Sequence, residues 1–181
     1  MTCIIGFSNG QEVHIAGDSG GFSGIEKVVR SDEKVFPIGD EFIVGFAGSY
    51  RLGQLLRYDF TPPARPSDIT DMAYLVSYFI ESLRTLLKDK GYCYIDNNQE
   101  TIDGLFLLGY RGHLYCVDQD FHVGMSMDGI DSIGAGSSIC IGAFDGLSSV
   151  KNIKQRLFKA LDITEKRSTV VLKPFTYEVL K

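Results

Sequence analysis

Thr2 follows Met1, and a small residue in second place lets a methionine aminopeptidase expose it as the N-terminal residue. An N-terminal threonine carries two reactive groups. Its hydroxyl can act as a nucleophile, and its α-amine, with an ordinary pKa of roughly 7.7–8.0, can act as the base. Such a residue needs three helpers. A cation close by keeps the amine deprotonated near neutral pH, because like charges at short range disfavour each other. A carboxylate must hold that cation, and a backbone N–H must face the oxyanion that forms when the hydroxyl attacks a carbonyl. Lys34, Asp18 and Gly48 have the right types for these roles. The chemistry would be acyl transfer from an amide to Thr2 and then to water. Met-Thr by itself, however, is more often no more than the start of a β-rich chain.

The flanking residues say how such groups would meet. Ile4-Ile5-Gly6-Phe7 is β-rich, and Val13, Ile15 and Ala16 lead back to Asp18. Asn9-Gly10 between them is a hairpin signal, since both residues tolerate the positive φ of a tight two-residue turn. A second strand pair, Lys34-Val35-Phe36 and Phe42–Gly48, adds the lysine and a glycine-rich strand end. Ser19-Gly20-Gly21-Phe22-Ser23-Gly24 between the pairs reads as a loop, and it lacks the Lys-Ser/Thr and helix of a phosphate-binding loop.

Further on, Ser49 is placed to cap a short helix over 50–58, with Leu52, Leu55 and Leu56 inward. Pro62, Pro63 and Pro66 break it, and a longer helix is expected after Ser67-Asp68. Met72, Leu75, Val76, Phe79, Ile80, Leu83, Leu86 and Leu87 form its apolar stripe. Residues 89–103 read as polar and irregular. Strands follow at Gly104–Tyr110, 113–118 and 121–125, then a solvated turn at Asp128-Gly129-Ile130-Asp131, which lacks calcium-loop spacing. One helix is expected after Gly136 and another over 149–161, and strands at 169–172 and Thr176–Leu180 close the chain. The order of strands, helices, strands, helices and strands implies an α+β, four-layer αββα sandwich, read as one domain over 1–181.

Composition narrows the classes. The chain has 181 residues, 44% hydrophobic and 23% charged, with a net charge of −5. That balance argues against nucleic acid or an anionic membrane as partner. No apolar run reaches the roughly twenty residues of a membrane span, and no signal-peptide pattern opens the chain, so the cytoplasm is the expected place. Cys3, Cys93, Cys116 and Cys140 lack metal-type spacing and read as reduced, mostly buried thiols. An N-terminal Cys3 is disfavoured, because losing Thr2 as well would spoil the spacing to Asp18 and Lys34. His14, His113 and His122 lie far apart and suggest no metal site. No cofactor is expected.

Thr2, Gly17-Asp18-Ser19, Lys34-Val35 and Gly45-Phe46-Ala47-Gly48-Ser49 stand at the separations found in proteasome β subunits and HslV-type peptidases. Leu105–Tyr110 with Gly112 resembles the central hairpin of these N-terminal-nucleophile hydrolases, and Ile133-Gly134-Ala135-Gly136-Ser137 resembles the turn that opens their third helix. The likeness covers nearly the whole chain. It implies a threonine-type endopeptidase: Thr2 as nucleophile, Lys34 tuning its amine, Asp18 orienting Lys34, Gly48 at the oxyanion, and Ser137 in support. It places Phe22, Gly48 and Tyr50 beside an extended peptide, which pairs as an added strand. Phe46 would line a shallow pocket for the residue before the cut. It also implies a self-compartmentalising homo-oligomeric ring, peptide or unfolded-protein substrates, and a possible ATP-dependent unfoldase partner.

Two positions depart from the family pattern. Ala135 stands where active members usually have serine, and Glu165-Lys166-Arg167-Ser168-Thr169 holds no aspartate near the last helix–strand junction. A non-catalytic assembly subunit and a small-molecule amidase on the same scaffold therefore stay open beside the peptidase.

Overall fold

The computed structural model describes residues 2–181, so Met1, whose removal the threonine chemistry requires, lies outside the described residues. Strands β1 (Ile4–Ser8) and β2 (Val13–Gly17) form the first hairpin. Its two-residue turn is Gly10-Gln11, one place beyond the expected Asn9-Gly10. The Asn9 N–H donates to the Glu12 carbonyl at 3.3 Å, and Asn9 Oδ1 accepts the N–H groups of Gln11 and Glu12 at 2.9 and 2.8 Å. The asparagine thus closes the turn from its first flank, and Gly10, with φ 86°, supplies the left-handed residue.

Residues 19–24, expected as a loop, open a ribbon of β3 (Gly20–Ser23) and β4 (Glu26–Val29). β5 (Val35–Ile38) and β6 (Phe42–Gly48) follow. The Ser49 hydroxyl accepts the Arg51 N–H at 3.1 Å and caps α1 (Tyr50–Gln54), which runs on into a π turn, Leu55–Asp59. The next helix begins with α2 (Asp71–Tyr74), capped by Thr70, and passes through a second π turn, Leu75–Phe79, into α3 (Ile80–Asp89). A π turn bonds i to i+5 and so shifts the phase of the helix. Tyr74, Leu75, Phe79, Ile80, Leu83 and Leu87 face the core, whereas Met72 and Val76, expected on the stripe, are 37% and 46% exposed.

Residues 89–103, expected to be irregular, hold a hairpin of β7 (Tyr94–Asp96) and β8 (Gln99–Thr101). Asn97 and Asn98 close it with φ 47° and 65°, the positive pair that a primed two-residue turn requires. β9 (Gly104–Tyr110) and β10 (His113–Val117) pair as expected, and β11 (Val123–Gly124) is short because Phe121 turns the chain at φ 68°. The solvated turn expected at 128–131 instead leads into β12 (Ile130–Ile133), which pairs with β1. α4 (Ser137–Gly146) follows. α5 (Ile153–Arg167) starts later and ends later than the expected 149–161, because Asn152 caps it by accepting the Gln155 N–H at 3.0 Å. Residues 169–172 are not a strand. Leu172 turns its N–H and carbonyl to Asp18 and Ser19 instead of a ladder, and β13 (Thr176–Leu180) is the closing strand.

Two antiparallel sheets result, ordered β12-β1-β2-β13 and β11-β10-β9-β6-β5. One apolar cluster, with Cys3, Ile5, Ala16, Phe144, Leu157 and Leu161, joins the first sheet to α4 and α5. Another, with Phe46, Leu55, Phe79, Leu83 and Phe106, joins the second sheet to α1–α3. A third, with Ile4, Val13, Ile15, Val35, Ile43 and Leu107, lies between the sheets. These are the four layers of an αββα sandwich. The sheets meet closely because glycines interrupt their inner faces. A Cβ on Gly45 would stand 2.6 and 2.8 Å from the Cγ2 methyls of Ile4 and Ile15 on the other sheet, and one on Gly17 would stand 2.9 Å from Val35 Cγ2. Overfilling such a contact costs about 1–3 kcal/mol. Gly45→Val is therefore expected to lower stability by about that amount, read as a lower urea midpoint with an unchanged slope.

Candidate active site

Asp18 follows the last residue of β2 and is fully buried. A buried carboxylate is costly unless hydrogen-bonded, and this one accepts four donors. Oδ1 accepts the Cys3 N–H at 3.1 Å and Lys34 Nζ at 2.8 Å. Oδ2 accepts the N–H groups of Gly20 at 2.8 Å and Leu172 at 3.2 Å. Four parts of the chain, at residues 3, 20, 34 and 172, thus converge on one side chain.

Lys34 precedes β5, and its carbonyl accepts the Phe46 N–H at 3.0 Å, which fixes it against β6. Its side chain is 1% exposed. Nζ donates to Thr2 Oγ1 at 2.8 Å, to Asp18 Oδ1 at 2.8 Å and to the Gly20 carbonyl at 2.7 Å. An ammonium has three N–H donors and no acceptor, so all three are engaged. Burial pushes the Lys34 pKa below its ordinary 10.5, and the Asp18 carboxylate opposes that fall. Thr2 is itself buried. Its carbonyl accepts the Gly136 N–H at 3.2 Å, and a Cβ on Gly134 (φ 90°) would stand 2.4 Å from that carbonyl oxygen. The Gly134-Ala135-Gly136 turn therefore fits against residue 2, with Ala135 itself exposed.

The structure brings Thr2, Asp18 and Lys34 into direct contact. Gly48 ends β6 at φ 112° opposite Gly104, whose Cα would lie 2.6 Å from a Cβ there, so the position admits no side chain. Ser137 is half-buried at the start of α4, and its N–H donates to the Gly134 carbonyl at 3.1 Å. Phe46 lines a small cavity of about 80 Å³ with Tyr50, Gly53, Arg57, Asp32 and Glu33. The Tyr50 hydroxyl donates to the Gly20 carbonyl at 3.2 Å. Burial, and then the Asp18 charge, push its pKa up to about 12. The Arg30 guanidinium lies 4.6 Å over the Tyr50 ring and is tied to Asp32. Phe22 is half-buried on β3.

Residue types did not point to the Gly20 carbonyl or the Leu172 N–H. The loop just after the segment without an aspartate reaches the site by its backbone. The Ser19 N–H donates to the Leu172 carbonyl at 2.9 Å, and Ser19 Oγ donates to the Pro174 carbonyl at 2.7 Å.

Removing one partner of a buried ion pair costs about 3–5 kcal/mol. Asp18→Ala, which leaves Lys34 and three N–H groups without their acceptor, is expected to destabilise the protein by that amount in urea unfolding. Lys34 should also lose its proton at lower pH than the exposed lysines, read by NMR of its side-chain Cε. Because its folded-state pKa lies below 10.5, unfolding takes up a proton between the two values, and this contribution to stability rises with pH across that window.

No protein-family model matches the chain, and no curated protein matches it. Solved structures do. Thiobacillus denitrificans BPH superposes with a TM-score of 0.77 at 19% identity, covering 100% of this chain and 98% of the other. The same protein in complex with epoxomicin gives 0.76 at 16% identity, covering 99% and 98%. Eukaryotic HslV from Trypanosoma brucei gives 0.69 at 20% identity, covering 99% of each chain. At these identities the likeness is one of fold. The chain has the αββα sandwich of the N-terminal-nucleophile hydrolases, in its proteasome- and HslV-like form.

Proposed function

We propose that this protein is a threonine peptidase in which Thr2, freed by removal of Met1, is the nucleophile. The observation that carries this reading is Lys34 Nζ, buried and 2.8 Å from both Thr2 Oγ1 and Asp18 Oδ1. Thr2 Oγ1 attacks the peptide carbonyl. With every N–H of the Lys34 ammonium engaged, that ammonium has no means of accepting the hydroxyl proton. The base is then the α-amine of residue 2, and Lys34 acts as a fixed positive charge that favours the neutral amine and the developing alkoxide. Asp18 keeps Lys34 in place. The Gly48 N–H receives the oxyanion, the amine passes its proton to the leaving nitrogen, and water releases the acyl group. Ser137 supports the turn beside Thr2. Phe22, Gly48 and Tyr50 flank the bound strand, and the small Phe46 cavity suits a small side chain before the cut.

The shared fold with HslV and BPH supports a ring of identical chains that sequesters the site and receives unfolded protein, with an ATP-driven unfoldase as the feeding partner. The BPH complex makes epoxomicin a natural probe. The cytoplasm is the compartment that suits such a particle.

Intact mass of the native protein should fall short of the full sequence by one methionine. Incubation with epoxomicin should then add one inhibitor mass per chain, and Thr2→Ala should abolish both the adduct and cleavage of a fluorogenic peptide. A chain that retains Met1 and takes no adduct would instead be an assembly subunit. Adduct formation with turnover of small amides but no peptide cleavage would favour the amidase.

A further inference from the structure

A cavity of about 700 Å³ lies between the β3–β4 ribbon and the loop that follows α5. Its size is that of a ligand pocket. Phe22, Ile25 and Leu172 supply apolar lining, and Lys27, Lys166 and Arg167 supply charge. It adjoins the candidate site, because Leu172 is hydrogen-bonded to both Asp18 and Ser19. It shares no lining residue with the Phe46 cavity.

The charge around it is one-sided. Among the described residues, Lys27, Lys166 and Arg167 form no ion pair. Glu165, the single carboxylate in the lining, is held by Lys173, through Nζ at 3.2 Å and through the backbone N–H at 3.3 Å. Among the described residues, three cations without an ion pair therefore line one cavity in a protein whose net charge is −5. We propose that this cavity binds carboxylates on the leaving-group side of the substrate, so that peptides with acidic residues after the cut are preferred. The inference rests on the peptidase reading above, which sets the residue before the cut at Phe46, and it takes the departing segment across β3 toward this cavity. An acidic side chain and a free C-terminal carboxylate offer the same chemistry to these cations.

The test is ligand-observed NMR titration of the Thr2→Ala protein with four tetrapeptides. Three carry C-terminal amides: Ala-Glu-Glu-Ala, Ala-Gln-Gln-Ala and Ala-Lys-Lys-Ala. The fourth is Ala-Gln-Gln-Ala with a free carboxylate. An exposed ion pair contributes up to about 1 kcal/mol, so the Glu peptide should bind about fivefold tighter than the Lys peptide at low salt. That margin should shrink at high salt and vanish in Lys27→Gln/Lys166→Gln/Arg167→Gln, whose side chains are exposed and whose loss leaves the fold in place. A free-carboxylate Gln peptide that matches the Glu peptide assigns the site to the chain terminus, and one that matches its own amide assigns it to side chains. Equal binding of the Glu, Gln and Lys peptides, or a preference that survives the triple substitution, overturns the inference. The readout needs no catalysis. A protein that binds acidic peptides without cutting any would refute the peptidase alone, and one that cuts peptides without regard to charge after the cut would refute this site alone.

Discussion

Every part of the candidate site depends on one buried carboxylate. Asp18 alone accepts hydrogen bonds from the start of β1, from β3, from Lys34 and from the loop before β13. A carboxylate with that many donors tolerates burial, and it also makes a buried lysine tolerable. Lys34 in turn reaches Thr2 only because Asp18 and the Gly20 carbonyl hold its other two N–H groups. The order of dependence runs from Asp18 to Lys34 to Thr2.

The pair also crosses the sandwich. Asp18 follows β2 in the first sheet, and Lys34 precedes β5 in the second. Their neighbours in sequence, Gly17 and Val35, meet between the sheets, where only a glycine leaves room for the valine methyl. Packing and electrostatics are therefore one constraint at this point. The same close approach that fills the inter-sheet core sets the distance between the carboxylate and the ammonium.

Much of this was legible in the residues. Alternation and turn chemistry located the first hairpin, β5–β6 and β9–β10, and Ser49 marked the start of α1. The side chains that meet, Thr2, Asp18 and Lys34, had types suited to one site, and the family resemblance singled them out. What stayed hidden has physical reasons. Leu172 and Gly20 act through backbone groups, which every residue type carries. Val170-Val171-Leu172 has the composition of a strand, and Asp18, 154 residues away, and its neighbour Ser19 divert Leu172 from a ladder. β12 is short and half polar, and its partner is at the other end of the chain. The π turns shift the helix face without any local marker, so Met72 and Val76 were placed inward. The β7–β8 turn was the avoidable omission, since Asn97-Asn98 is a pair that tolerates positive φ.

β1, the first strand of the chain, is an interior strand of its sheet, with β2 on one side and β12 on the other. During synthesis its second neighbour emerges only after residue 133, and the Leu172 amide that completes the Asp18 cage emerges later still. Pairings of such sequence separation form late, because loop closure must precede any gain from the contact. The candidate site is thus completed only after segments far apart in sequence have met. Asp18 is made well before the Leu172 N–H that completes its set of donors.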